Sequence, residues 1–200
     1  MAAGVSSEDM APGGAAPIGP GAVALVVGPS GAGKDTLLRL VRERLGGDGR
    51  FFFPQRVVTR PADASEDHAT LSRREFEERI ERGGFALHWE AHGHRYGIPA
   101  EADTAVRAGR TVVFNASRQM IPAARRRYAT PATILLDVPI EVRAARLAAR
   151  NRESADQVLA RLQRVVTGFD LAEQDLVVDN SGPPERAADA MVRWLQALGC

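Results

Sequence analysis

Residues 28–36 read Gly-Pro-Ser-Gly-Ala-Gly-Lys-Asp-Thr. Gly28, Gly33 and Lys34 satisfy the phosphate-cradling pattern G-x-x-x-x-G-K-[ST]. In such a loop, backbone N–H groups form an anion nest and the following helix adds its positive end. The lysine offsets charge on the β- and γ-phosphates as it builds during transfer. Gly28, Pro29, Ser30, Gly31, Ala32, Gly33, Lys34, Asp35 and Thr36 are therefore the expected ATP-binding residues, and Lys34 is expected to be catalytic. The eighth position departs from the pattern: a hydroxyl that ligates magnesium is expected, and the chain has Asp35. Magnesium takes oxygen ligands and is commonly held by one or two carboxylates with phosphates and water. Asp35 is thus the expected metal ligand. The alternative is that Asp35 only caps the helix or favours its positive end, with Thr36 taking the metal.

Of the 26 lysine and arginine residues, only Lys34 is lysine. A compact ammonium and a planar guanidinium are not interchangeable where space around a phosphate is tight. The lone lysine stands where the loop needs one. A kinase must also screen the transferring group from water, usually with arginines on a closing lid. Arg143, Arg146 and Arg150 are spaced i, i+3, i+7 and share a helix face, Arg152 follows, and Arg161 lies on the next helical pattern. The competing explanation is a solvated basic face.

These residues need elements to hold them. A short apolar, Val-rich run at 22–27 predicts a buried parallel strand before the glycine loop. The run after it places Leu37, Leu38, Val41 and Leu45 on one helical face. Ser72-x-x-Glu75 is a capping box that opens a helix over 72–84, and Ser154-x-x-Gln157 opens another to about 168. Residues 111–115, 133–138 and 175–180 read as further strands, with helical patterns at 117–128, 139–150 and 184–198. Alternating strands and helices imply an α/β fold, a parallel sheet covered on both faces with ligands at the carboxyl ends of its strands. The segment from about 55 to 98 breaks the alternation and is expected to be an insertion over the active face. The expected organisation is a flexible tail over 1–21 and one kinase domain over 22–200, with the lid at about 146–166.

Composition limits the alternatives. Two hundred residues, 44% hydrophobic and 26% charged, suit one globular domain with a sizeable core. A net charge of +1 gives no reason to expect a nucleic-acid or membrane partner. The single cysteine, Cys200, supports no disulfide framework, and no apolar run approaches the ~20 residues of a membrane span. A cytoplasmic location is the expectation.

Four segments together resemble the guanylate kinase family over roughly residues 22–198. They are the glycine loop, "VVTRP" ending at Arg60 and Pro61, "SRREFEERIERGGFALHWEAHGHRYGIP" from Ser72, and "RLAARNRES" from Arg146. The resemblance implies the P-loop kinase fold with ATP and Mg2+. It makes Arg146, Arg150 and Arg161 the lid arginines and Arg60 a ligand of the acceptor phosphate. It also sets "VVDNSG" (177–182) near the donor adenine. The departures matter as much. A second acceptor arginine is replaced by Asp63, a phosphate-holding tyrosine by His68, and the groups that read guanine by Leu87 and Ile98. Unpaired polar edges on a buried base cost roughly 1–3 kcal/mol each, so GMP is not the expected acceptor.

One branch is similar at these same positions: the ribose 1,5-bisphosphate phosphokinases of bacterial phosphonate breakdown. They share the Gly-Lys-Asp loop, "EDHATLS", "AHGHRYGIP" and "FNASR". The likeness implies ATP-dependent phosphorylation of ribose 1,5-bisphosphate to 5-phosphoribosyl 1-diphosphate, with release of ADP. The acceptor carries two phosphates and no base, so a cationic, polar pocket is expected: Arg60, His68, Tyr96, Asn115, Ser117 and Arg118, with His92, His94 and Arg95 nearby. Neutral Asn115 stands where an acid is expected, and its expected place is facing the acceptor. The other readings are an exposed turn or a metal pair at His92 and His94, packing of Tyr96 beside Trp89, and solvation of Arg125, Arg126 and Arg127. Expected partners are the phosphorylated sugar and ATP, with a homodimer the one protein assembly to consider. The rival functions are a guanylate kinase, which would need Glu90 to read the base, and a catalytically inactive binding module. Such modules tend to lose the loop lysine and the lid arginines, and this chain keeps both.

Overall fold

The computed structural model describes residues 16–61, 67–149 and 170–198. Its main sheet has five parallel strands in the order β2-β7-β1-β8-β9: β2 (Phe51–Phe52), β7 (Thr111–Asn115), β1 (Ile18–Val27), β8 (Tyr128–Asp137) and β9 (Leu176–Asp179). Central β1 is buried on both faces, as its unbroken apolar run requires. Val23, Leu25 and Val27 pack with α3 (Glu101–Arg107) and α4 (Ile121–Arg127). Ala24 and Val26 pack on the other side with α1 (Lys34–Leu45) and the last described helix, α6 (Pro184–Leu198). In α1 the buried residues are Leu37, Val41 and Leu45, and Leu38 lies at the margin of that core. α5 (Ile140–Ala148) follows β8.

Residues 56–99 form a second sheet, ordered β4-β3-β6-β5, from β3 (Arg56–Val58), β4 (His68–Thr70), β5 (Phe85–Ala91) and β6 (His94–Pro99). The capping box at Ser72 is formed, and α2 (Arg73–Glu81) covers one face with Phe76 stacked on Phe85 at 4.5 Å. The turn between β5 and β6 is His92–Gly93, both at positive φ, the two-residue hairpin turn whose twist matches its strands. The Tyr96-Gly97 pair lies within β6. Its glycine is required because a Cβ at Gly97 would stand 2.4 Å from the Phe85 ring. On the other face, Leu87, Trp89 and Ile98 join the core of the main sheet.

Two boundaries differ from expectation. β1 starts at Ile18, inside the expected tail, and β8 starts at Tyr128, five residues early. Neither start reads as strand in sequence, and both are fixed by tertiary contacts. Ile18 pairs with Tyr128, whose hydroxyl donates to buried Asp103 on α3 at 2.8 Å. The expected helix over 154–168 and residues 1–15 lie outside the described residues.

Asp103 also accepts from Arg127, with Nε at 3.1 Å and a shorter bond from Nη2. Those bonds raise the arginine's pKa, and burial foremost raises that of Tyr128. Asp103→Ala should remove about 2–4 kcal/mol of stability in urea denaturation, because a guanidinium and a buried hydroxyl lose their acceptor together. A loss below about 0.5 kcal/mol would show that the triad is not holding α3 to β8.

Candidate active site

The glycine loop leaves the carboxyl end of β1. Gly31 and Gly33 take φ values of 79° and 85°, the left-handed region that lets successive N–H groups converge on one anion. Gly33 occupies the N-cap of α1 and no side chain caps that helix, so its first-turn donors remain available to phosphate. Lys34 folds over the loop, its Nζ donating to the carbonyls of Gly28 at 2.9 Å and Pro29 at 3.0 Å. The ammonium is held where the phosphates of a nucleotide would lie.

Asn180, 2% exposed, braces this loop from β9. Its Nδ2 donates to the Ala32 carbonyl at 2.8 Å, its own N–H donates to Asp137 O at 3.1 Å, and its carbonyl accepts from Arg146 Nη2 at 2.8 Å. Within the segment matched to the donor adenine, Asn180 therefore serves the loop backbone. The resemblance gave no signal for that role. Arg146 sits beside the nest, and its Nη1 is buried with no partner among the described residues. Arg150, Arg152 and Arg161 lie outside the described residues, as does Asp63.

Asp35 does not cap α1. Its Oδ1 accepts from Asn115 Nδ2 at 2.8 Å and lies 3.9 Å from Arg56 Nη2. Asn115 is 7% exposed at the end of β7, so the two residues expected on opposite sides of the site are bonded to each other. That corrects the expectation that Asn115 simply faces the acceptor: its amide is committed to the carboxylate. Asp35 Oδ2 has no hydrogen bond among the described residues, leaving one oxygen for a cation. No cluster of three metal-ligating side chains occurs among the described residues. One carboxylate completed by phosphates and water is the donor set magnesium accepts most readily, so the residues fit that ion.

The expected acceptor residues divide. Arg60 is partly buried at the end of β3, and its carbonyl accepts from His68 Nε2 at 3.1 Å and Thr70 Oγ1 at 3.2 Å. His68 is 5% exposed, so it shapes the strand end that carries Arg60 and offers little surface to a ligand. Tyr96 stacks on Trp89 at 5.5 Å, with the Arg56 guanidinium 5.5 Å from its ring centroid. Arg95 is taken by Glu77 and Glu90. Ser117 and Arg118 stand at the start of the short 3-10 turn after β7. Arg118 has its pKa lowered, by burial first and then by the Arg143 guanidinium. Leu87 and Ile98, at 6% and 0% exposure, are core residues with no polar edge to offer a base. Arg56 has no individual signal in so arginine-rich a chain, and Arg143 is legible only as one of three arginines sharing a helix face.

The profile of the AAA domain family matches residues 25–164. The chain is 46% identical over 187 residues to the Bradyrhizobium diazoefficiens protein named ribose 1,5-bisphosphate phosphokinase PhnN, covering 94% of each. It is 47% identical over 167 residues to the Rhodopseudomonas palustris protein of the same name, covering 84% of each. Among solved structures it resembles guanylate kinase from Anaplasma phagocytophilum, with a TM-score of 0.60 at 19% identity over 88% of this chain and 85% of that one. That likeness shows the fold.

Asn180→Ala tests the brace. Losing the bond to Ala32 O should raise KM for ATP at least about fivefold while costing roughly 1–2 kcal/mol of stability. An unchanged KM would mean that the loop holds its shape alone. Lys34→Ala should leave the fold intact and lower kcat by about a hundredfold or more, and activity within about tenfold of the parent would reject the loop as the transfer site.

Proposed function

We infer that this chain, which belongs to the ribose 1,5-bisphosphate phosphokinase family and carries an AAA domain, phosphorylates ribose 1,5-bisphosphate at its 1-phosphate, using ATP. The products are 5-phosphoribosyl 1-diphosphate and ADP. The observation that carries the reading is near-full-length identity of 46% to a protein of that name. Burial of Leu87 and Ile98, where a guanine reader needs polar groups, supports it over GMP as acceptor.

An oxygen of the 1-phosphate bonds to the γ-phosphorus of ATP as the bond to the β–γ bridging oxygen breaks, and ADP leaves with that electron pair. Phosphate monoesters are largely ionised near neutrality, with a second pKa of about 6. The nucleophile therefore needs no general base. What the reaction asks of the protein is alignment and charge. Lys34 and the loop N–H groups hold the β- and γ-phosphates, and Arg146 approaches them from α5. Arg150 and Arg161 are proposed to complete the lid, and Arg60, Tyr96, Ser117 and Arg118 to line the acceptor side. Asp35 would hold magnesium through Oδ2, with Asn115 and Arg56 fixing the carboxylate through Oδ1. Magnesium, when bound, offsets phosphate charge and orients the γ-phosphoryl group for in-line attack. Cytoplasmic ATP is the natural donor supply.

The deciding experiment offers the protein ATP, magnesium and a panel of acceptors while ADP is followed and the product identified by phosphorus NMR. Ribose 1,5-bisphosphate should be converted, with GMP lower in kcat/KM by at least about a hundredfold. Comparable turnover of GMP would make the chain a guanylate kinase. Asp35→Asn keeps an acceptor oxygen for Asn115 but loses the charge, so it should raise the magnesium concentration for half-maximal rate several-fold. A titration that overlays the parent's would give the metal to Thr36 instead.

A further inference from the structure

Arg143 lies one helical turn before Arg146 on α5 and has no part in the reaction described so far. Its backbone is pressed against the glycine loop: a Cβ on Gly31 would stand 3.0 Å from the Arg143 carbonyl oxygen and 3.2 Å from its Cβ. Its Nε and Nη1 are shielded from solvent, and neither has a hydrogen-bond partner among the described residues. No carboxylate pairs with it among those residues either. A guanidinium cannot shed its proton, so both the charge and the two donors stay unanswered in the ligand-free protein. Arg118, reaching from the end of β7, is close enough for the Arg143 charge to disfavour its own. The Arg143 guanidinium, with two buried and unanswered donors, thus stands beside the phosphate nest, which is costly unless an anion completes it.

Donor phosphates already meet Lys34, the loop N–H groups and Arg146, which flanks Gly33. Arg143 is on the Gly31 side, and its cationic neighbour extends from the strand that carries Asn115. The acceptor residues proposed above, Ser117 and Arg118, stand at that strand's end, so the acceptor is taken to approach from there. A phosphate nucleophile brings up to two negative charges towards a donor that carries its own. An alcohol nucleophile brings none. Guanidinium forks match phosphate oxygens two at a time.

We propose that Arg143 is a phosphate-binding residue of the acceptor site, closing with Arg118 on the phosphate that attacks the donor. The pair selects a phosphate nucleophile over a hydroxyl one. This rests on the kinase reading above, and the test separates the two. Full-length Arg143→Ala, Arg143→Lys, Arg118→Ala and the double alanine variant are compared with the parent in two ways. Thermal unfolding is followed with and without inorganic phosphate. Without it, Arg143→Ala should melt no lower than the parent, since a repulsion has been relieved. Phosphate should raise the parent's Tm and move that of Arg143→Ala by less than half as much. In kinetics, Arg143→Ala should lower kcat/KM for ribose 1,5-bisphosphate about thirtyfold, with KM for ATP within about threefold of the parent. Lysine should recover part of the loss, and the double variant should be little worse than either single one. A lower Tm without phosphate together with an undiminished phosphate response would make Arg143 a packing residue and overturn the proposal. So would an unchanged acceptor kcat/KM, a loss confined to ATP, or a parent that phosphate does not stabilise. A parent inactive on ribose 1,5-bisphosphate but stabilised by phosphate through Arg143 would reject the substrate and keep the clamp.

Discussion

Bringing two phosphates together for transfer requires cations to be gathered first, and gathered cations repel one another. At 4 Å and an effective dielectric constant near 20, two unit charges interact by about 4 kcal/mol. The site sets the Lys34 ammonium and the Arg146 guanidinium around one loop, with Arg143 against Gly31 beside it. Among the described residues Arg143 and Arg146 have no carboxylate partner, and the Lys34 ammonium donates to two backbone carbonyls. A carboxylate neighbour would relieve the ligand-free protein and compete with the substrate. Carbonyl dipoles fix a cation without cancelling it. The cost falls on the rest of the fold, which must be rigid enough to keep the cations in place.

That rigidity comes from the sheet. β1 is covered on both faces, so the loop leaving its end starts from a fixed point. Asn180 then ties the loop to β9 and carries Arg146 on its own carbonyl. One buried side chain thereby sets both the nest and a cation beside it. The Asp35–Asn115 bond works likewise on the other side, joining the first turn of α1 to the end of β7. A neutral amide there orients the carboxylate, whereas a second carboxylate would repel it and any incoming phosphate.

What could be read in advance follows from how local the cause was. Gly28 to Thr36, the capping box at Ser72 and the strand over 111–115 are specified by neighbouring residues, and all three were legible in the chain. The start of β1 was not. Ile18-Gly-Pro-Gly has no strand pattern, and Gly21 is demanded by the Arg110 backbone, whose carbonyl would lie 2.2 Å from a Cβ there. In the site, Lys34, Asp35 and Arg146 could be read from spacing or likeness. Arg56 and Asn180 could not, because their partners are distant in sequence: Asn180 meets Ala32 148 residues away. Asn115 was recognised as unusual, but its partner was not, since an amide exchanged for an acid does not announce which carboxylate it will hold.

Specificity in this site is built largely by removal. Leu87 and Ile98 fill the junction between the two sheets, packed with residues that support the strands under the active site. Placing polar base readers there would open a hydrated gap in that core, so discrimination against a base and stability of the junction draw on the same side chains. On the other side of the reaction, burial of His68 against the Arg60 carbonyl spends a polar residue on shaping a strand end. An acceptor without a base needs less recognition surface and more charge, and the positions released from reading a base have gone to packing. What is left to mark such an acceptor is the charge of the phosphates it carries.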